Sequence, residues 1–261
     1  MSHDHAPCRT APGSSGHLFD GPIPGRISLL KSDPDLAQAI PAADLPRARR
    51  ILSVPTVAFG PGPIDLVATR FPATTFALLL IRGTVTQAAD LGDRAMIELL
   101  LEGDVLWPWR PAPTAPATRV RVAALDHAGL AVLDARFITA AALWPALMVG
   151  LHRRLNDQKH RLAAQGAICQ LPRVEQRVMA IMWHLAARIG TVGAEGTGLA
   201  RPFTHEALAH FTGSRRPTVS LAVKRLRDLG YLDRRPDGTW LLPRVPENAV
   251  FEDLIANLSA V

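Results

Sequence analysis

The stretch Thr204-His-Glu-Ala-Leu-Ala-His-Phe-Thr-Gly213-Ser-Arg-Arg-Pro-Thr-Val-Ser-Leu-Ala-Val-Lys-Arg-Leu-Arg-Asp-Leu-Gly230 decides the fold. Thr204 can cap a short helix that carries Glu206 in its first turn, where the helix dipole favours an acid. Thr212-Gly213 ends that helix. Ser214 is placed to cap a second one, with Pro217 in its first turn, where the missing N–H would have had no helical partner. Gly230 stops this helix, and Tyr231–Arg235, Pro236-Asp237-Gly238 and Thr239–Leu242 read as a β-hairpin with a tight turn. Two short helices joined by a Gly-containing turn and followed by a hairpin describe a winged helix-turn-helix.

At about 100° per residue, Val219, Ala222, Val223 and Leu226 share one side of the second helix and must face a core. Arg216, Pro217, Ser220, Leu221 and Lys224 lie outward, where a helix meets base edges in a major groove. Arg216 suits both acceptors of a guanine, and Leu221 suits a thymine methyl. Thr204, Ser214, Arg215, Thr218, Arg225, Arg227, Arg234 and Arg235 are placed for phosphates, which position a protein without reading sequence. Charge agrees. Nine basic residues lie between Arg201 and Arg244 against four acids, Glu206, Asp228, Asp233 and Asp237. That local excess of +5 is nearly the whole net charge of +6 on 261 residues, and it marks a docking face for double-stranded DNA.

Upstream, residues 1–24 read as a flexible tail. From residue 25 to 140, strand-sized runs follow closely, each broken by Gly or Asp: Phe76–Ile81, Thr84–Thr86, Ala95–Leu101, Val105–Trp107, Val120–Leu125 and Leu130–Leu133. That spacing predicts a compact antiparallel barrel or roll. The proline-rich Pro108–Pro116 can be neither inner strand nor helix. Trp107, Trp109 and Arg110 beside it are candidates for an effector pocket, or for packing.

Residues 141–171 hold a long helix. Met148, Leu155, Leu162 and Cys169 fall at one heptad position, with Leu151, Gln158 and Gln165 at the other, which predicts pairing with a second copy of the chain. The alternative is a helix packed on its own roll. Residues 172–261 begin with a helix through Val174–Ile189. A connector follows at Gly193, Gly196 and Gly198, whose spacing fits no phosphate loop. The segment 247–261 has no assigned role.

From residue 25 on, the chain resembles the Crp/Fnr superfamily of bacterial transcription regulators, in a form similar to an actinobacterial branch. The resemblance rests on Leu78–Val85, Leu101–Val105, the seam helix, Val178–Ala186, Phe203–Ala209 and above all Gly213-Ser-Arg-Arg-Pro-Thr-Val219. It implies an α+β chain with a cupin-like N-terminal β-roll that senses an effector, a dimerisation helix, and a winged helix that binds a near-palindromic operator as a homodimer. Contact with RNA polymerase is a further partner it would allow. Departures limit the carry-over. The family's cyclic-nucleotide cradle corresponds here to Gly103–Thr118, with no glutamate after Asp104 and with Arg110 and Arg119 out of place, so cyclic AMP is not expected. In the recognition helix, Pro217 and Leu221 stand where better-known relatives carry a glutamate and an arginine, so their operators do not transfer.

Two cysteines, Cys8 and Cys169, exclude a four-cysteine iron–sulfur cluster within one chain. His127, alone in a loop, argues against haem. His205 and His210 lie i,i+5 apart, about 140° around a helix, and cannot share a zinc ion as an i,i+4 pair does. His127 is the only histidine between Leu18 and Leu151, too few for a cupin metal centre. No catalytic motif and no metal site are found. The longest nearly uncharged apolar run, Ile138–Leu151, has 14 residues, short of the roughly 18 of a membrane span. With no basic-then-apolar leader, a cytoplasmic location is expected. The competing function is a β-roll ligand-binding or enzymatic protein whose C-terminal domain serves protein contacts and binds DNA non-specifically.

Overall fold

The computed structural model describes residues 25–92, 94–106 and 119–243. The tail 1–24, the pocket candidates Trp107, Trp109 and Arg110, and the segment 247–261 lie outside them. The N-terminal half runs β1 (Gly25–Ser28), α1 (Leu29–Ser32), α2 (Pro34–Ala37), α3 (Leu45–Ile51), β2 (Ser53–Phe59), β3 (Gly62–Ile64), β4 (Ala77–Arg82), β5 (Val85–Leu91), β6 (Arg94–Leu100), β7 (Val105–Leu106), β8 (Arg119–Ala124), β9 (Ala128–Leu133) and α4 (Ala135–Ala141). Two antiparallel sheets, ordered β1-β2-β9-β4-β7 and β3-β8-β5-β6, make the roll. Between them Leu78, Leu80, Val85, Leu100, Leu106 and Leu130 form one core.

The other face of the first sheet is covered too. Leu79, Ala131 and Leu133 pack on Leu29 and Leu30 of α1, Phe137 of α4 and Leu147 of the long helix. Burial on both faces is why β4 reads as an unbroken apolar run instead of an alternating one. Gly83 turns β4 into β5 with φ +87°, and a Cβ there would lie 2.4 Å from the His127 carbonyl. The short helices α1–α3 have no clear sequence period. They exist because Asp33 caps α2 at Leu36 N, 3.2 Å away, and because Leu29, Leu30 and Ala48 cover the sheet.

The second half runs α5 (Pro145–Cys169), α6 (Val174–Ile189), β10 (Gly190–Gly193), β11 (Gly196–Leu199), α7 (His205–Phe211), α8 (Arg216–Asp228), β12 (Asp233–Arg234) and β13 (Trp240–Pro243). One expectation is corrected here. The glycine-rich connector is a hairpin: β10 pairs with β11, and β11 pairs with β13 to give the sheet β10-β11-β13-β12. Glycine hides a strand because it supplies no alternating side chains. At Gly198 that absence leaves room for Arg235, whose Nη1 a Cβ would meet at 2.8 Å.

Heptad positions of α5 also meet their own chain. Leu151 is buried in the roll's own core. Gln158 and Gln165 are buried as well, the first accepting from Val105 N at 3.4 Å and the second donating to Ile97 O at 2.8 Å and Phe211 O at 3.1 Å. The Cys169 thiol donates to Phe211 O at 3.6 Å, and burial pushes its pKa up. These four side chains of the expected seam are engaged within the chain. Met148 stays exposed and Leu155 and Leu162 half-buried.

Candidate nucleic-acid interface

The helix pair is built by local chemistry. Thr204 Oγ1 accepts from Ala207 N at 3.1 Å and caps α7 as expected. Thr212 is fully buried and donates its hydroxyl to Leu208 O at 2.8 Å. Gly213, at φ +59°, turns the chain in a conformation that side-chain-bearing residues resist. Ser214 does not cap α8. Its hydroxyl donates back to Thr212 O at 3.3 Å, and the extended residue at the start of α8 is Arg215, with no side-chain cap bond. The cap falls one residue later than the pattern Ser-x-x-Pro suggests, and Pro217 is the second residue of the helix.

Val219, Ala222, Val223 and Leu226 of α8 are buried against Val178, Met182 and Leu185 of α6 and Leu208 of α7. The opposite side carries exposed Arg216, Pro217, Thr218, Lys224 and a Leu221 that keeps 67% of its surface, with Ser220 half-buried. The helical-wheel division therefore matches the observed burial. An apolar leucine held open on a basic helix is suited to a partner with apolar spots among charges. Arg215, Arg216 and Lys224 make no ion pair among the described residues.

Other basic side chains have partners already. Arg225 donates to Glu175 Oε1 of α6 at 3.0 Å. Arg227 lies 3.8 Å from Asp233, and Arg235 lies 3.8 Å from Glu195. The last two pairs are exposed enough to exchange for phosphate at little cost, whereas Glu175 is half-buried. In the wing, Asp233 faces Leu241 and Arg234 faces Trp240. The turn is closed by Asp237, which accepts from Thr239 Oγ1 at 2.6 Å and Thr239 N at 2.9 Å; these bonds lower its pKa.

One contributor was not singled out for this face. His205 Nδ1 is 3.0 Å from Ser220 Oγ, and its ring stacks on Trp240. The residue was legible as the first after a cap, but its partner Trp240 is brought near only by the fold.

A second set of unforeseen residues joins the roll to this domain. Leu99 of β6 is buried in the C-terminal core. Asp104, buried, accepts from Arg161 of α5 at 2.5 Å and Arg188 of α6 at 2.6 Å, while its carboxylate also holds Leu101 N at 2.9 Å. Arg188 donates as well to Leu99 O at 2.8 Å. Beside them Glu98 is buried with Oε1 unpartnered. Burial first, and then the Asp104 charge, push its pKa up to about 7. A pair of arginines from two helices meeting one turn of the roll had no sequence signal, because the residues are far apart in the chain.

Among the described residues, no helix is long and apolar enough to cross a membrane. No group of three or more His, Cys, Asp or Glu among them is arranged to hold a metal ion. A cavity of about 240 Å³ lies between α1–α2, the Glu102–Asp104 turn and α5, lined by Asp33, Asp35, Arg154 and Asp157 among others.

Residues 176–245 match the family described as the Crp-like helix-turn-helix domain. Similar solved structures include a CooA mutant from Carboxydothermus hydrogenoformans, with 18% identity over 77% of this chain and 87% of that one at a TM-score of 0.61. A cyclic nucleotide-binding domain containing protein from Listeria monocytogenes gives 15% identity, coverage of 81% and 97%, and a TM-score of 0.62. A transcriptional regulator of the CRP family from Thermus thermophilus gives 22%, coverage of 72% and 91%, and 0.54. The comparison with curated proteins gives no match. Residues 176–245 are thus a Crp-like helix-turn-helix domain, and the described chain shares the overall fold of these structures. In fold the chain matches Crp/Fnr-type regulators.

Proposed function

We propose that this chain regulates transcription by binding a near-palindromic operator as a homodimer, with α8 in the major groove and a roll that responds to an effector not yet identified. The observation that supports it is the division of α8 into a fully buried apolar side and an outward side bearing Arg216, Pro217, Ser220, Leu221 and Lys224. Thr204, Ser214, Arg215, Thr218, Arg225, Arg227, Arg234 and Arg235 surround it as phosphate contacts. Pairing of two copies falls to the exposed side of α4 and α5, where Ile138, Leu143, Met148 and Val149 leave apolar surface open, with Leu155 and Leu162 at its margin. A two-fold pair would present two copies of α8 to successive turns of one duplex face.

The reading assigns no catalytic role and no cofactor, and it places the chain in the cytoplasm with its DNA. Selection from random duplex DNA tests it. A motif with two-fold symmetry is the expected product. Binding without an enriched motif, weakening with salt, would mean phosphate contacts alone and would favour a chain whose C-terminal domain does not read sequence.

A further inference from the structure

At the foot of the wing, a connected set of side chains runs from β12 to the recognition helix. The Arg234 guanidinium lies over the Trp240 indole, 5.4 Å from its centroid. The indole is fully buried, and its Nε1 donates to Phe203 O at 2.9 Å, so its plane is fixed. The His205 imidazole stacks on that indole with centroids 6.1 Å and planes 27° apart. His205 Nδ1 then meets Ser220 Oγ at 3.0 Å, and the Ser220 hydroxyl lies 3.1 Å from Arg216 O. One imidazole therefore joins the wing to the base-reading side of α8.

Hydrogen-bond accounting assigns the tautomer. Ser220 has one hydroxyl proton, and it goes to the Arg216 carbonyl. Nδ1 must then be the protonated nitrogen and donate to Ser220 Oγ. Nε2 is left as the ring's proton acceptor. Adding a proton to Nε2 keeps the Nδ1–H bond to Ser220 and the stack on Trp240, so the contacts survive in both charge states.

The charged groups facing the ring are Arg216 and Arg227 from α8 and Arg234 from β12; β13 contributes the neutral Trp240. Burial first, and then these three cations, hold the histidine below its ordinary value in the free protein. DNA changes the charged part of that balance. Phosphates drawn to the three arginines bring negative charge to the same face and offset the part of the penalty on an imidazolium that those cations impose. A ring that is neutral beside these arginines becomes a more favourable site for a proton once phosphates lie against them.

We propose that His205 is a positioning residue of the DNA interface, tying the recognition helix to the wing and taking up a proton as DNA binds, so that operator affinity rises as pH falls through the histidine range. This rests on the DNA-reading role of α8. By linkage, each unit separating the bound from the free histidine gives about tenfold in affinity on the acid side.

The test is a titration of the full-length protein with its selected operator between about pH 6 and about pH 8 at fixed salt. Wild type should gain about tenfold in affinity toward the acid end. His205→Gln, which can still donate to Ser220 but does not titrate, should show a flat profile, and His210→Gln should keep the wild-type slope. Calorimetry in two buffers of different ionisation heat should register proton uptake by wild type and its loss in His205→Gln. His205→Asn serves the same purpose if the glutamine variant does not fold. A variant at 205 that retains the wild-type slope, or operator binding by wild type with no proton taken up, would overturn the role given to His205. Absence of sequence-selective binding at every pH would instead remove the DNA-reading role of α8, and this role with it.

Discussion

In the proposed complex with DNA, Arg216 is the residue assigned to read a base. It sits at the first position of α8, exposed and without an ion pair among the described residues, so its guanidinium enters a complex without first leaving a carboxylate. A two-toothed bond to guanine is worth about 1–3 kcal/mol of discrimination. Arg216→Ala should weaken binding to the selected operator by that amount while changing binding to scrambled DNA much less. Paired titrations against the two duplexes measure this, and an equal loss on both would move Arg216 from base reading to phosphate contact. Arg225 is a contrast, since its bond to Glu175 ties α8 to α6 as well as offering charge. What was legible at this scale was local. The Thr204 cap and the buried row Val219, Ala222, Val223 and Leu226 follow from spacings within one or two helical turns. The failed cap at Ser214 and the stacking of His205 on Trp240 depend on a turn geometry and a strand partner that spacing does not encode.

At the scale of elements, the joint between β6, α5, α6 and α7 carries the argument. Gln165 bonds both Ile97 O and Phe211 O, and Asp104 gathers Arg161 and Arg188. The roll is therefore fastened to the DNA-binding domain by polar groups that each need the other side. Glu98 sits inside this joint and is sensitive to pH. Its carboxyl is raised to about 7 when folded, so its favourable contribution is complete below the ordinary carboxyl range. That contribution is lost as pH rises through about 7, because an ionised, buried Glu98 then stands beside Asp104. His184, in the same joint, has its pKa lowered by burial and then by Arg161 and Arg188; it acts in the opposite sense, losing stability as pH falls through the histidine range. Relative to Glu98→Gln, wild-type melting temperatures should therefore decline as pH rises between about 4.5 and about 7 and run parallel to the variant's above that. The same course in wild type and variant across that range would show that the joint does not titrate at Glu98. The roll strands were visible in the sequence because short apolar runs end at Gly and Asp. The heptad spacing did not separate pairing with a second copy from packing on the chain's own roll, since a helix clamped to its own roll repeats apolar and amide side chains much as a paired helix does. The β10–β11 hairpin was hidden by its glycines.

Across the whole molecule, three cores succeed one another: the inside of the roll, the layer between its first sheet and helices α1 to α5, and the C-terminal domain with Leu99 of β6 built into it. Most of the basic excess falls in the sequence of the last of these, between Arg201 and Arg244. The fold class and the winged helix were readable because motif, charge and caps converged on one stretch. The joint was not, because its bonds join residues distant in the chain. As a homodimer the protein would bring two α8 helices to one duplex, and helical phase then becomes the decisive variable. The most direct measurement compares the selected operator with one carrying about five extra base pairs, half a helical turn, between its half-sites, with the number of chains per duplex determined by sedimentation. The account predicts two chains on the intact operator and a fall to near-nonspecific affinity on the lengthened one. One chain per duplex, or affinity indifferent to the insertion, would contradict it.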